Sequence, residues 1–202
     1  MTHKLPNLKA PTSNIIKKYN GEFKSNKRYN SSDKSVIKLF KKFKQNKNIE
    51  DILLKTSVIN DLYSTNILDT FKIAGHILSL KIDRALEKGD PKIVNKIASG
   101  HGIKNKKTGK ELNFYSFATK YCYNHNPEKY AMYDSFVSKI LKAYRKKTNF
   151  YDFRNEDFKD YVRFLEVLDE FKEYFKLNGF SFKEIDRFLW IYGKKLFLKN
   201  KK

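Results

Sequence analysis

A chain of 202 residues is long enough to bury the core of one domain. Its net charge of +21, from 43 basic and 22 acidic residues, exceeds what solubility requires. This excess indicates a polyanionic partner, for which nucleic acid is the simplest choice and an acidic membrane surface the competitor. The single cysteine, Cys122, excludes an intramolecular disulfide and any zinc or iron–sulfur site built on clustered cysteines.

The four histidines lie far apart in the sequence, and no pair has the spacing of metal ligands, so we do not expect a metal-dependent deaminase or protease, although scattered ligands could converge in space. We expect no cofactor. No apolar run reaches the length of about 18 residues that a membrane-spanning helix needs, and the N-terminus lacks the apolar core of a signal peptide. We therefore expect a soluble, monomeric, cytoplasmic protein that associates with the nucleoid and not with a membrane.

Residues 1–30 contain Pro6, Pro11 and many lysines and asparagines, but few periodic apolar positions. This composition predicts a basic N-terminal arm, because such a segment buries too little apolar surface to order itself alone. The arm could lie along phosphates, dock on the domain, or serve only as a soluble tail. Residues 31–202 are then predicted to form one compact domain.

Helical periodicity starts at Ser32 and Asp33, and the first helix is amphipathic and rich in lysine. Further helices are predicted over 49–54, 58–63 and 66–87, and Gly89-Asp90-Pro91 should end the last of these and open the next. After Asp134 the pattern predicts a helix with a basic end at 145–147, a long helix over 156–176, and a last helix opened by a capping box between Ser181 and Glu184. No sustained strand pattern is present, so the fold class is all-α, with eight or nine helices.

Residues 100–113 interrupt the helices with a glycine-punctuated loop that contains four lysines, Lys104, Lys106, Lys107 and Lys110. Glycines let backbone amides approach phosphates and lysines replace counterions, so the loop is a candidate phosphate clamp. An exposed connection made soluble by lysine is the alternative.

The stretch from Phe114 to Val137 places Lys120 and Asp134 on either side of a short turn. Small and apolar neighbours surround Lys120, and Asp134 would lie in the first turn of a helix that begins near Ala131, where the helix dipole favours a carboxylate. We interpret the pair as a candidate active site. The alternative is a lysine with a solvated amine and an aspartate that only caps a helix.

The runs S-F-A-T-K-Y-C and A-M-Y-D-S-F-V within this stretch resemble the helix–hairpin–helix DNA glycosylase superfamily, and most closely the bacterial 8-oxoguanine DNA glycosylase-like proteins. Lys120 matches the superfamily's lysine and Asp134 its aspartate. The resemblance implies a compact multi-helix domain of the glycosylase type, without a cofactor. It also implies duplex DNA with a modified base as the partner, an 8-oxoguanine-like purine above all.

In the mechanism that the resemblance implies, the base is extruded and neutral Lys120 attacks the sugar carbon as the base leaves, forming a Schiff base from which strand cleavage could follow. Asp134 would stabilise the positive charge that develops on the sugar. Ser116 and Thr119 are then expected to contact DNA, and Tyr121 and Trp190 to line the base pocket. A non-catalytic nucleic-acid-binding protein and a nuclease remain as alternatives, although no carboxylate motif for a nuclease metal site is present.

Overall fold

A computed structural model describes residues 8–199 of the chain and is all-α, with no β-strand among those residues. The fold class predicted from the sequence is therefore confirmed. In chain order the helices are α1 (Ser13–Ser25), α2 (Lys27–Lys42), α3 (Ile49–Tyr63), α4 (Thr70–Leu80), α5 (Asp83–Lys88), α6 (Lys92–Ala98), α7 (Tyr115–His125), α8 (Ser135–Thr148), a 3-10 helix (Glu156–Lys159), α9 (Tyr161–Tyr174) and α10 (Phe182–Lys199).

The chain divides into two compact units. The first unit combines Met1–Tyr29 with Tyr133–Lys202, and the second is the continuous segment Asn30–Met132. Helix α2 begins in the first unit and continues in the second. The segments before and after Asn30–Met132 thus contribute to the same unit.

Helix α10 organises the first unit, because both α1 and α8 pack against it. The approach of α10 to α8 depends on Gly193, where an added Cβ would lie 2.9 Å from the backbone oxygen of Phe136. Around these helices the core is filled with aromatic rings, such as the pair Tyr144 and Phe171 with ring centroids 5.4 Å apart. Aromatic residues thus supply much of the buried volume of this unit.

The described part of the predicted arm is packed into the first unit. The backbone oxygen of Leu8 accepts from the Lys147 amine at 2.5 Å, and the Lys9 backbone donates to the Tyr192 hydroxyl and accepts from the Tyr144 hydroxyl, both at 2.7 Å. Leu8 itself is buried. Residues 1–7 of the predicted arm lie outside the described residues. Apolar residues in this segment are too few to show helical periodicity. Its backbone is instead fixed by hydroxyl and amine groups of α8 and α10.

Helix α7 is the most enclosed helix of the second unit, where it packs against α6, α3 and α5. Every residue from Phe117 to Tyr123 is buried. Helix α4 packs against α3 and α6, completing the unit. A helix buried on all sides also places its polar side chains in the core, and Lys120 is one of these buried polar residues.

Two predicted helices are divided in the structure, and two predicted boundaries are confirmed. The span 66–87 is broken because Lys81 adopts a left-handed conformation that ends α4, and the span 156–176 is broken at Asp160, which caps α9. Gly89, with φ 74°, ends α5 as expected. The capping box is also present, since the Ser181 backbone N–H donates to the Glu184 carboxylate at 3.0 Å.

Candidate functional site

Lys120 lies on the second turn of α7 with its side chain in the second unit, and the residue is only 4% exposed. Its amine donates to the Ser116 hydroxyl at 2.6 Å and contacts the Ser116 backbone oxygen at 3.4 Å. The ring centroid of Tyr63, at the end of α3, lies 5.9 Å from the amine nitrogen. The site around Lys120 is therefore a buried amine beside a hydroxyl and an aromatic ring.

Asp134 is the N-cap of α8, in the first unit. Its carboxylate Oδ1 accepts from the Phe136 backbone N–H at 2.8 Å, which is the usual capping interaction. The helix begins at Ser135 and not near Ala131; residues 127–129 form a turn, and residues 130–134 have no regular secondary structure. The positive end of the α8 dipole faces the Asp134 carboxylate, as expected.

Three of the residues expected around Lys120 lie on the same helix but differ in accessibility. Ser116 is half-buried, whereas Thr119 is 0% exposed and donates its hydroxyl to the Ser116 backbone oxygen at 3.0 Å. Tyr121 is also fully buried, and its hydroxyl donates to Asn46 Oδ1 at 2.5 Å. Thr119 therefore has no surface to offer a phosphate, and Tyr121 has no free face on which a base could stack.

Trp190 lies on α10 in the first unit, half-buried in a cluster of aromatic and cationic groups. Its ring meets the edge of Tyr29 at a centroid distance of 5.0 Å, and the Lys194 amine lies 4.9 Å from its centroid. Trp190 and Tyr121, which we expected to line one base pocket, thus belong to two different units.

The glycine-punctuated loop folds into a short hairpin, which we call the lysine hairpin (residues 103–112). The Leu112 backbone N–H donates to the Ile103 oxygen at 2.9 Å, and Asn105 pairs with Lys110 at the same distance. At the tip, Asn105 Oδ1 accepts from the backbone N–H groups of Lys107 and Thr108. All four lysines predicted as a phosphate clamp are exposed on this hairpin: Lys104, Lys106, Lys107 and Lys110.

A histidine and a glutamate fasten the base of the lysine hairpin. Glu111 accepts from the Gly102 backbone N–H at 2.7 Å, and the N–H groups of Gly102 and Gly100 lower the pKa of its carboxyl. Burial lowers the pKa of His101, which accepts from the Ile103 N–H through Nδ1 at 3.1 Å. These contacts fix the backbone at the base of the lysine hairpin, whereas its lysine side chains remain exposed.

A second buried lysine, Lys55 on α3, was not predicted from the sequence and is 0% exposed. Its amine donates to the backbone oxygens of Phe43 and Gln45, at 3.0 and 2.9 Å, and to Asn46 Oδ1 at 2.7 Å. Since Lys55 shares the spacing of the buried residues Ile52, Thr56 and Ile59, its place in an apolar helical stripe could have indicated burial.

His125, at the end of α7, completes the network around Lys55. The Lys55 amine lies 3.4 Å from His125 Nε2. The three ammonium protons are already donated to oxygens of Phe43, Gln45 and Asn46, so a neutral His125 directs its Nε2 lone pair at the ammonium and carries its proton on Nδ1. Burial lowers the pKa of Lys55 to about 8, and burial together with the Lys55 charge lowers the pKa of His125 to about 3. The network ties the turn after α2 to α3 and α7.

Among residues 8–199, no group of three or more histidine, cysteine, aspartate or glutamate side chains is placed to hold a metal ion. Within the same residues, no helix combines the length and the apolar character required to cross a bilayer.

Comparison with known proteins places the second unit and most of the first helix in a described domain. The family model HI_0787_N, described as an N-terminal domain, matches residues 15–129. An uncharacterized protein of Haemophilus influenzae is 40% identical over 157 residues, which cover 76% of this chain and 71% of that protein. No solved structure matches the chain. The chain therefore belongs to the HI_0787_N family.

Proposed function

We propose that the protein is a DNA glycosylase that excises a modified base, with Lys120 as nucleophile. The observation that carries the proposal is the burial of the Lys120 amine on the enclosed helix α7, where it donates to the Ser116 hydroxyl at 2.6 Å. A buried lysine is uncommon, and nucleophilic attack requires the neutral amine. An 8-oxoguanine-like purine is the first substrate to test.

In this mechanism the base leaves with the electron pair of the glycosidic bond, and the Lys120 nitrogen forms a bond to the sugar carbon. Loss of the amine protons and opening of the sugar give a Schiff base. Ser116 Oγ accepts from the amine and would direct its lone pair once a proton has left. The lysine hairpin would hold the phosphates during these steps.

The proposal is tested by incubating the protein with a panel of DNA duplexes that each contain one modified base. We expect release of one class of base by the unaltered protein and none by Lys120→Gln. Lys92→Gln, at an exposed position on α6, is the matched control and should retain the activity. Absence of base release from every duplex would argue against a glycosylase.

A second candidate is a nucleic-acid-binding protein without catalysis. The capping geometry of Asp134 favours it, because a carboxylate bonded to the Phe136 N–H already has a structural reason to be present. In that case the protein should bind duplexes with and without damage equally, with a strong dependence on salt, and release no base.

A further inference from the structure

Helix α2 and the turn after it display a dense row of exposed lysines, which we call the α2 lysine face: Lys34, Lys38, Lys41, Lys42, Lys44 and Lys47. Within residues 30–47 the only acidic residue is Asp33. Lys34, Lys38 and Lys42 are four residues apart, and Lys41 follows Lys38 by three residues, so all four lie on one side of the helix. The opposite side packs inward through Val36 and Phe40, both buried.

The charges of the α2 lysine face are not balanced by ion pairs within the described chain. The salt bridges seen among the described residues include those of Arg163 with Asp157 and Glu166 and of Lys195 with Glu22, and none of these involves the α2 lysine face. Like charges at three- and four-residue spacing repel one another and weaken a helix. A polyanion along this face would remove that repulsion.

The α2 lysine face is built on a fixed support. Phe40 packs against Tyr121 and His125 of α7, with ring centroids 5.5 and 4.8 Å apart. Beyond the end of the helix, the buried Lys55 amine holds the backbone oxygens of Phe43 and Gln45. The turn that carries Lys44 and Lys47 is therefore fixed before any ligand arrives, and binding would order only lysine side chains.

The dimensions of the face suit a nucleic-acid backbone. At about 1.5 Å per residue, the row from Lys34 to Lys42 is about 12 Å long. One strand of duplex DNA carries about three or four phosphates over that length. A membrane-surface helix would instead need its apolar side free to enter the lipid, and here Val36 and Phe40 are buried in the protein.

We propose that the α2 lysine face is a second phosphate-binding surface, separate from the lysine hairpin, that binds the backbone of duplex DNA without reading its bases. The proposal rests on the nucleic-acid partner of the proposed function but not on its chemistry. It gives a reason for the absence of acidic residues from this side of α2, which a merely soluble helix would not require.

The test compares two variants of the full chain that lose the same charge. One replaces Lys34, Lys38, Lys41 and Lys42 by glutamine, which retains helix propensity. The matched control replaces Lys81, Lys88, Lys92 and Lys96, which are exposed on α4, α5 and α6 or directly after them. Circular dichroism establishes that both variants fold, and fluorescence anisotropy measures binding of an undamaged duplex between about 50 and 200 mM salt.

We expect the slope of log K against log salt to fall by about 3 in the α2 variant, as for the loss of three or four phosphate contacts, and by less than about 1 in the control. Equal slopes in the two variants, or no binding by the unaltered protein, would overturn the proposal. Loss of binding to anionic lipid vesicles with unchanged DNA binding would also overturn it, in favour of a membrane surface. Base release is measured separately with saturating DNA. The glycosylase proposal can then be rejected while the α2 lysine face is confirmed, and the α2 lysine face can be rejected while base release is observed.

Discussion

Two lysines in the described part of the chain have buried amines, and their contacts suit different roles. The Lys55 amine donates to two backbone oxygens and Asn46 Oδ1, which together stabilise a charged ammonium and fix a turn. The Lys120 amine donates to the Ser116 hydroxyl, a side chain that can rotate and accept from a neutral amine as well. The contacts of Lys55 therefore give it a structural role, whereas the proposed role of Lys120 rests on its burial.

We predict that His125 makes the protein less stable in acid. Its pKa is lowered to about 3 in the folded chain, whereas an unfolded histidine takes up a proton near about 6.5. The unfolded state therefore binds more protons between these values, and the free energy of unfolding falls as the pH falls through this window. His125→Gln, which keeps an acceptor for Lys55, should flatten that part of the profile in urea titrations from pH 7 to pH 4.

His76→Gln provides the control, because His76 is a half-buried histidine outside this network. Equal pH profiles for the unaltered protein and for His125→Gln would show that His125 is not held neutral by burial.

We predict that Asp134→Asn leaves stability unchanged within about 0.5 kcal/mol, since asparagine caps a helix as well as aspartate does. If the carboxylate also stabilises charge in the reaction, the same variant should lose most of its rate of base release while it still binds DNA. Asp134→Ala should in addition lose about 1 kcal/mol of stability, measured by chemical denaturation. Full activity of the asparagine variant would leave Asp134 with the role of a cap alone.

At the level of helices, close packing of α10 on α8 predicts that two glycine-to-alanine substitutions have opposite effects on stability. Gly193→Ala should lower the free energy of unfolding by about 1–3 kcal/mol, because the new Cβ would lie 2.9 Å from the Phe136 backbone oxygen. Gly75→Ala, inside α4 with nothing within 4 Å of the added Cβ, should instead raise it by about 0.5–1 kcal/mol. Thermal denaturation of both variants measures the two shifts, and a stabilising Gly193→Ala would contradict the described packing.

We predict that charge changes in the lysine hairpin weaken DNA binding without lowering the stability of the protein. Charge reversal of its four exposed lysines, Lys104, Lys106, Lys107 and Lys110, should weaken binding and reduce its salt dependence, since each phosphate contact contributes about 0.9 to the slope. Stability should change little, because the backbone pairing of the hairpin is independent of these side chains. Unchanged affinity and slope would exclude the hairpin as a phosphate clamp.

The sequence predicted helix ends where a single residue type determines the backbone, as with Gly89 and the capping box at Ser181. It did not predict the break at Lys81, because a left-handed lysine has no sequence signature and only packing selects it. The start of α2 at Lys27 was missed for a similar reason, since Asn26 accepts from the Tyr29 backbone N–H without any apolar periodicity.

For the candidate site, the sequence identified Lys120 and the hairpin lysines but not their accessibility. Periodicity predicts a helix with one buried side, whereas α7 is enclosed on all sides, which is why Thr119 and Tyr121 are buried. The Lys55 network was missed because its partners, Asn46 and His125, are brought together only by the packing of α3, α7 and the turn after α2. Side chains that meet through tertiary packing leave little trace in sequence spacing.

At the scale of the whole molecule, both ends of the chain belong to one unit and the continuous segment Asn30–Met132 forms the other. The HI_0787_N family match over residues 15–129 covers nearly all of the second unit, which contains Lys120, the lysine hairpin and the α2 lysine face. Asp134 lies outside that match, in the first unit.

The most direct test of the account is reductive trapping. When the protein acts on a duplex that contains its damaged base, borohydride should reduce the Schiff base and leave the protein covalently joined to DNA through Lys120. Peptide mapping of the adduct identifies the amine. We predict an adduct at Lys120 that Lys120→Gln abolishes without abolishing DNA binding. Base release with an adduct at another amine, or with no adduct at all, would contradict it.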